Sequence, residues 1–367
     1  MNVNVGKRSA EQETKLKFVD CDIHPVPKSP DALKAFLPAR WQKHFSTYGN
    51  HSREPFADTI AYPRMAPAIA RADAWPANGG PPGSDLDFMR EQHLDLYGVE
   101  YGILTPLATR GPDQRNLEYG AALCTALNDW QVECWIRPEP RLRGSILVPQ
   151  EDPPAAIAEI ERRADDPNFV QVMLPPRTDE PLGRRRYRPI FAAAVAAKRP
   201  VALHIGGQGG HAVTGSGWPS YYIEEHHSNL QTMQSMVASL VIEGVFEEFP
   251  ELKIILIESG FAWVAPFCWR LDNQWRRYRD EVPHLKRPPS EYVRQHIWYT
   301  TQPIDEPERP RDLLTVLEWV GIDRLMFSTD YPHWDFDDPH HVFNVGISEQ
   351  QKQSIFRGNA KAMYGLA

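Results

Sequence analysis

Residues 253–260 read KIILIESG, an apolar, β-rich run that stops on a carboxylate and a glycine. Before it, Asn229–Phe249 carries a helical pattern. Before that, Pro200–His204 (PVALH) is another short apolar run, ending on an imidazole. Strand, helix, strand in that order implies two parallel strands joined by a crossover. The same alternation continues outward in both directions. Upstream lie Lys17–Cys21 (KFVDC), Tyr101–Thr105 (YGILT), Gly144–Val148 (GSILV) and Val170–Leu174 (VQVML). Downstream lie Ile297–Thr301 (IWYTT) and Arg324–Ser328 (RLMFS). Helical patterns at Asn116–Ile136, Pro154–Ala164 and Pro189–Ala197 separate several of these runs. Eight strand candidates in such units predict an α/β fold, a distorted (β/α)8 TIM barrel.

The 367 residues exceed a typical domain of about 100–200 but suit one barrel with insertions. We divide the chain into a polar tail, 1–16, and a single barrel domain, 17–367. The surplus length sits mainly between the first two strands. About 80 residues separate them, far more than one crossover needs. This insertion, roughly 25–98, is rich in Pro and Gly, holds two tryptophans and has a helical pattern near Asp85–Leu96. It is expected to cover the barrel mouth. Gly206–Ser220 (GGQGGHAVTGSGWPS) follows a strand end and reads as a lining or lid loop.

Composition removes several function classes. With 42% hydrophobic and 24% charged residues, the chain is an ordinary globular one. No run approaches the roughly 20 apolar residues of a membrane span. The N-terminus lacks the apolar core of a secretory signal, so a cytoplasmic location is expected. A net charge of −8 without basic runs argues against nucleic acid as a partner. The four cysteines form no CxxC pair and read as buried free thiols, with Cys21 the only candidate nucleophile.

Polar residues at the C-terminal ends of barrel strands point into the active-site mouth. The first strand runs into Asp20-Cys21-Asp22-Ile23-His24, and period-two alternation places Asp22 and His24 on one side. The fifth strand ends in His204, the sixth in Glu258 and the eighth in Asp330. A lone Asp or His at a strand end is usually a cap or a core hydrogen-bonding group. Imidazoles and carboxylates converging from strands one, five and eight instead make a set for a divalent metal, Zn, Mn or Fe.

The segments VDCDIHP (19–25), ALHIGG (202–207), LKIILIESGFAW (252–263), MFSTDYPHWDFDDP (326–339) and GNAKAMYGL (358–366) together resemble the amidohydrolase superfamily. The resemblance is to its amidohydrolase-related (amidohydrolase 2) branch, which includes aminocarboxymuconate semialdehyde decarboxylase-like enzymes. It runs from about Phe18 to Leu366. It implies a metal held by Asp22, His24, His204 and Asp330, with Asp330 also the base toward metal-bound water. There are departures. The first motif is Asp-x-His rather than His-x-His. The fourth strand, Phe169–Pro175, offers no lysine for a carbamylated bridge. Glu258 stands where the decarboxylases carry a histidine that acts near the substrate.

Replacements are at hand. Glu224-Glu225-His226-His227 opens a helix after the Gly-rich loop. Glu224 and His227 share a helical face, and Glu224 with His226 is the alternative pairing. A solvated acidic helix start explains these residues equally well. Glu224, His226, His227 and Glu258 could hold a second ion or tune the first. His333 is near enough to Asp330 to reach the mouth, whereas most of Asp335, Asp337 and Asp338 read as surface loop groups. Arg184-Arg185-Arg186 could clamp a carboxylate, although a solvated basic turn is the simpler reading. Trp218, Tyr221, Tyr222, Trp263, Trp298 and Trp334 could wall an apolar pocket.

The leading reading is a metal-dependent hydrolase or non-oxidative, decarboxylase-like lyase acting on a small carboxylate or carbonyl compound. Asp330, His204, Glu258 and His333 would do the chemistry. Some members of the branch use paired Fe/Mn ions for oxygen-dependent hydroxylation, so a dinuclear monooxygenase is the first alternative. A metal-binding structural subunit partnered with an active paralogue is the second. The apolar, Trp-containing insertion predicts a homo-oligomer, or a hetero-oligomer with that paralogue.

Overall fold

The computed structural model describes residues 17–49, 67–107, 111–112, 114–206, 211–343 and 345–367. The expected tail, 1–16, lies outside the described residues, as do 50–66 of the insertion and 207–210 of the Gly-rich loop. Eight parallel strands pair in chain order: β1 (Phe18–Ile23), β2 (Val99–Leu104), β3 (Leu142–Leu147), β4 (Phe169–Leu174), β5 (Val201–His204), β6 (Ile254–Ile257), β7 (Ile297–Thr300) and β8 (Leu325–Met326). Each falls on one of the runs picked out in the sequence, with shifted ends. β8 keeps only two ladder residues. The barrel closes beyond them, where Cys21 N donates to Phe327 O (3.0 Å) and His24 N to Tyr331 O (2.8 Å).

Alternation sorts the strand residues into two layers. Val19, Cys21, Ile103, Val170, Ala202, Ile255, Ile257 and Met326 form one buried cluster together with Ala360 and Tyr364 of the C-terminal helix. Phe18, Val172, Leu174, Ile254 and Leu256 belong to the larger cluster shared with the surrounding helices. Tyr364 donates to Gln171 Oε1 (3.0 Å), and Gln171 Nε2 to Ser145 Oγ (2.9 Å), so these three buried polar side chains are paired. Cys21 is fully buried in the first cluster, and burial pushes its thiol well up, with Asp20 and Asp22 adding to it. That removes it as a nucleophile. Cys134 corrects the expectation of buried thiols, because it lies exposed on Val132–Ile136; all four cysteines are free.

The insertion does not lie wholly over the mouth. Pro30–Phe36 and Ala39–Tyr48 lead Leu37, Trp41 and Phe45 onto Tyr119, Leu123 and Ala126 of the helix Leu117–Gln131, on the barrel wall. Trp41 is therefore spent inside this chain, which weakens the ground for self-association. The second half returns to the mouth. Trp334 N donates to Ile69 O, Arg71 N to Pro332 O (both 2.9 Å) and Val26 N to Gly83 O (2.8 Å). Gly83 (φ +75°) allows this approach, since a Cβ there would lie 2.3 Å from the His24 carbonyl oxygen. Among the described residues no helix is long and apolar enough to cross a membrane.

Candidate metal centre

β1 irregularity starts the site. Its register against β2 shifts between Asp20 and Ile23. Asp20 turns away from the mouth, accepting from Thr329 N (2.9 Å) and facing His93 Nε2 (2.7 Å). Asp22 and His24 remain at the mouth. His24 Nδ1 lies 2.8 Å from Thr105 O, leaving Nε2 directed inward, 2.7 Å from Asp330 Oδ1. His204 repeats the device: Nδ1 lies 2.7 Å from Ile205 O, and Nε2 lies 3.1 Å from Asp22 Oδ1 and 3.7 Å from Glu258 Oε2. A backbone carbonyl on Nδ1 fixes tautomer and ring orientation, as around metal-binding histidines.

Glu258 and Asp330 share an unusual backbone. Both have positive φ, 53° and 63°, uncommon for non-glycine residues. Thr300 Oγ1 accepts from Glu258 N (3.1 Å) and holds that turn. Asp330 Oδ1 faces His333 Nδ1 at 2.7 Å, and the His333 ring stacks on His24 with centroids 4.2 Å apart. Asp330 Oδ2 accepts from Gln302 Nε2 at 3.3 Å.

Three donor groups result: Asp22, His24, His204 and Glu258; His24, Glu258, Asp330 and His333; and His226, Glu258 and Asp335. In each, one ligand atom per residue lies within 4.8 Å of the others. Burial and proximity set the charges. Burial works to raise the Asp22 carboxyl, but His24 and then His204 hold it well below the usual range. Burial, then Asp335, pushes Asp330 well up against the opposing pull of His24. Burial, then Asp330, Asp335 and Asp22, does the same to Glu258. Burial, then His24, drives His333 down to about 3, so it is neutral.

A divalent cation fits these residues. Asp22 Oδ2 is buried without a hydrogen-bond partner, a costly position unless something positive meets it. Among the described residues, every ion-pair partner of Asp22, Glu258, Asp330 and Asp335 is an imidazole. Nitrogen and carboxylate donors of this kind suit Zn, Mn or Fe.

The amidohydrolase family model (Amidohydro_2) matches residues 19–366. The chain belongs to that family. This amidohydrolase-family chain is 27% identical over 299 residues to the gamma-resorcylate decarboxylase of Rhizobium sp. (strain MTP-10005), covering 77% of this chain and 88% of that protein. Two solved structures share its fold. The dihydroxybenzoic acid decarboxylase from Polaromonas sp., with bound manganese and 2-nitroresorcinol, aligns with TM-score 0.67 at 21% identity over 95% of this chain and 97% of that one. The 5-carboxyvanillate decarboxylase from Novosphingobium aromaticivorans, complexed with manganese and 4-hydroxy-3-methoxy-5-nitrobenzoic acid, aligns with TM-score 0.71 at 17% identity over 95% and 96%.

Not every residue singled out in the sequence reaches the site. The helix Tyr222–Ile242 takes in the Glu224–His227 stretch expected to open it, and it turns His226 toward Asp335 (Nε2 to Oδ2 3.3 Å). Glu224 is exposed and accepts from Ser220 N (3.1 Å); His227 is exposed. Arg184 pairs with Glu180 and Glu243, and Arg186 with Glu151 and Asp179, away from the mouth cluster. Trp298 lies at the opposite end of the barrel, beneath Lys253 and Arg324, so it walls no pocket at the mouth. Trp334 does stand beside His226 (centroids 5.6 Å) and donates to the Tyr222 hydroxyl (2.9 Å).

Asp335 and Asp337 are not surface loop groups. Asp335 accepts from Gln302 Nε2 (3.1 Å), and Asp337 accepts from Ile304 N (3.0 Å). Residues 334–338 form a turn and an irregular stretch, so no strand alternation marks which acids face inward, and Phe336 packs under the Arg71 guanidinium (4.4 Å). Thr105 and Gln302 were also missed. Each is an ordinary polar residue after a strand, made functional only by what it touches. Thr105 Oγ1 donates to Asp22 Oδ1.

Proposed function

We propose that this chain is a metal-dependent lyase that decarboxylates a small aromatic carboxylate. The observation that carries the reading is the buried, imidazole-lined carboxylate cluster with an orphaned Asp22 Oδ2, in a chain related to decarboxylases. Asp22, His24, His204 and Asp330 would hold the ion. When bound, it supplies positive charge to a substrate oxygen and stabilises negative charge developing there.

The side chains do the rest. Asp330 Oδ1 is taken by His24 and His333, so Oδ2 is the atom that would carry the proton. In the metal-free protein, burial, then Asp335, favours the protonated form. Oδ2 delivers that proton to the ring carbon bearing the carboxylate. A C–H bond forms, the C–C bond breaks, carbon dioxide leaves and the bonding pair stays with the ring. Asp330 is left as a carboxylate and regains its proton from water. His333, held neutral, and Gln302 Nε2 keep its carboxyl oriented. Glu258, in place of the decarboxylase histidine, leaves Asp330 as the acid on this side.

Anaerobic incubation with a panel of ortho-hydroxybenzoates in heavy water tests this. Manganese-loaded protein is expected to release carbon dioxide and place deuterium at the vacated carbon. Turnover that consumes oxygen, or that survives chelation, would sink the reading.

A further inference from the structure

We propose that His93, in the insertion, is a positioning residue for Asp330, acting through Asp20 and Tyr331 to hold the turn that carries the acid. The proposal rests on the reading that Asp330 helps to hold the cation.

Asp330 needs holding. Its φ of 63° is a conformation that non-glycine residues seldom adopt, and one that persists only where the surroundings impose it. Its own carboxylate is engaged with His24, His333 and Gln302. Its two neighbours in the chain are gripped instead. Thr329 N donates to Asp20 Oδ1 (2.9 Å) and Thr329 Oγ1 to Asp20 Oδ2 (2.6 Å). Tyr331 N donates to Thr329 Oγ1 (3.2 Å). Asp22 N donates to Asp20 Oδ1 as well (3.2 Å), so one carboxylate fixes the chain beside both Asp22 and Asp330.

His93 grips the same turn from the insertion. Its Nε2 donates to Asp20 Oδ2 (2.7 Å), and its ring stacks on Tyr331 with centroids 4.6 Å apart and planes 10° from parallel. Next to it, Gln92 Oε1 accepts from the Tyr331 hydroxyl (3.0 Å). His93, Asp20 and Thr329 are fully buried, so water does not compete for these bonds. Packing alone does not call for an imidazole here. His93 Nδ1 is buried with no hydrogen-bond partner among the described residues, a cost that an apolar ring stacked on Tyr331 would avoid. What the imidazole adds is the donor to Asp20.

The alternative is that His93 is a packed core residue with no bearing on the site. Full-length protein is stripped with a chelator and titrated with Mn2+, and the dissociation constant is read by electron paramagnetic resonance. His93→Phe keeps a ring on Tyr331 and removes the donor to Asp20. It is expected to weaken Mn2+ binding roughly 10–100-fold, as the loss of an outer partner does. His93→Gln, whose amide nitrogen can stand where Nε2 stands, is expected to recover most of that loss. Circular dichroism melting shows whether each stripped variant is folded. If His93→Phe is not, the isosteric Asp20→Asn takes its place, with the same weakening expected. A packing role would lower the melting temperature and leave the dissociation constant alone. Wild-type affinity in His93→Phe or its substitute, or an equal loss in His93→Gln, overturns the proposal and leaves the metal reading standing. No Mn2+ bound by wild type overturns both.

Discussion

The two ends of the barrel both crowd carboxylates, and they treat them in opposite ways. At the N-terminal end Glu100 on β2 is met by Arg357 and Lys361, and Glu139 before β3 is met by Arg90 and Arg141. Hydrogen bonds from these cations hold both carboxyls down to about 2. These pairs tie the C-terminal helices to β2 and the end of the insertion to β3. At the mouth, among the described residues, the ion-pair partners of Asp22, Glu258, Asp330 and Asp335 are all imidazoles, and two of the four carboxyls are pushed well up. The same residue type is a fastening where a permanent cation shares its space. Where the positive charge must come from elsewhere, it becomes a receptor.

The largest effect that would break this contrast concerns the acid. Asp330→Asn keeps the shape and removes the transferable proton, so carbon dioxide release should fall about 10²–10⁴-fold in steady-state rate. An unchanged rate would end the assignment of Asp330. Next comes Glu258→Gln. It should stabilise the stripped protein by about 1–3 kcal/mol, since it relieves a buried carboxylate beside others. With saturating Mn2+ that gain should shrink, because a cation close by favours the carboxylate form of Glu258. Urea unfolding with and without metal reads both arms, and an equal gain in both would show that the mouth needs no cation.

At the other end, Glu139→Gln should cost about 1–3 kcal/mol by urea unfolding, with or without metal, because Arg90 and Arg141 lose the shared negative charge and one of its two accepting oxygens. A metal-dependent cost would blur the two ends together. The smallest effect is a pH slope. Glu100 has a folded-state pKa below its ordinary 4.5, so the unfolded chain takes up a proton more readily. Its stabilisation is complete above that ordinary value and is lost as pH falls from 4.5 toward about 2. Thermal melting of Glu100→Gln against wild type should converge across that window. A constant gap would mean that the charge of Glu100 is not what matters.

Much of this was legible in the chain, and the reasons differ residue by residue. The strands announced themselves because a barrel strand is buried on both faces and reads as a continuous apolar run, as KIILI does at 253–257. Asp22, His24, His204, Glu258 and Asp330 stood out because a polar residue at the end of such a run has few structural reasons to be there. Asp335 did not, since it lies in an irregular loop where acids are common. Gln302 and Thr105 are unremarkable residue types. The first half of the insertion was misplaced because Trp41 and Phe45 mark an apolar face without saying which surface covers it.

By itself, then, the sequence determined the barrel and the residues at its strand ends, because burial and alternation are local patterns along a chain. Only the tertiary structure decided that Asp22 Oδ2 has no partner, that Glu258 stands at the centre of three donor groups, and that His226 rather than Glu224 or His227 faces Asp335. Those are facts about distances between atoms far apart in the chain. They depend on where β1 bulges, where one helix begins and how two residues of positive φ turn, and none of these leaves a periodic trace.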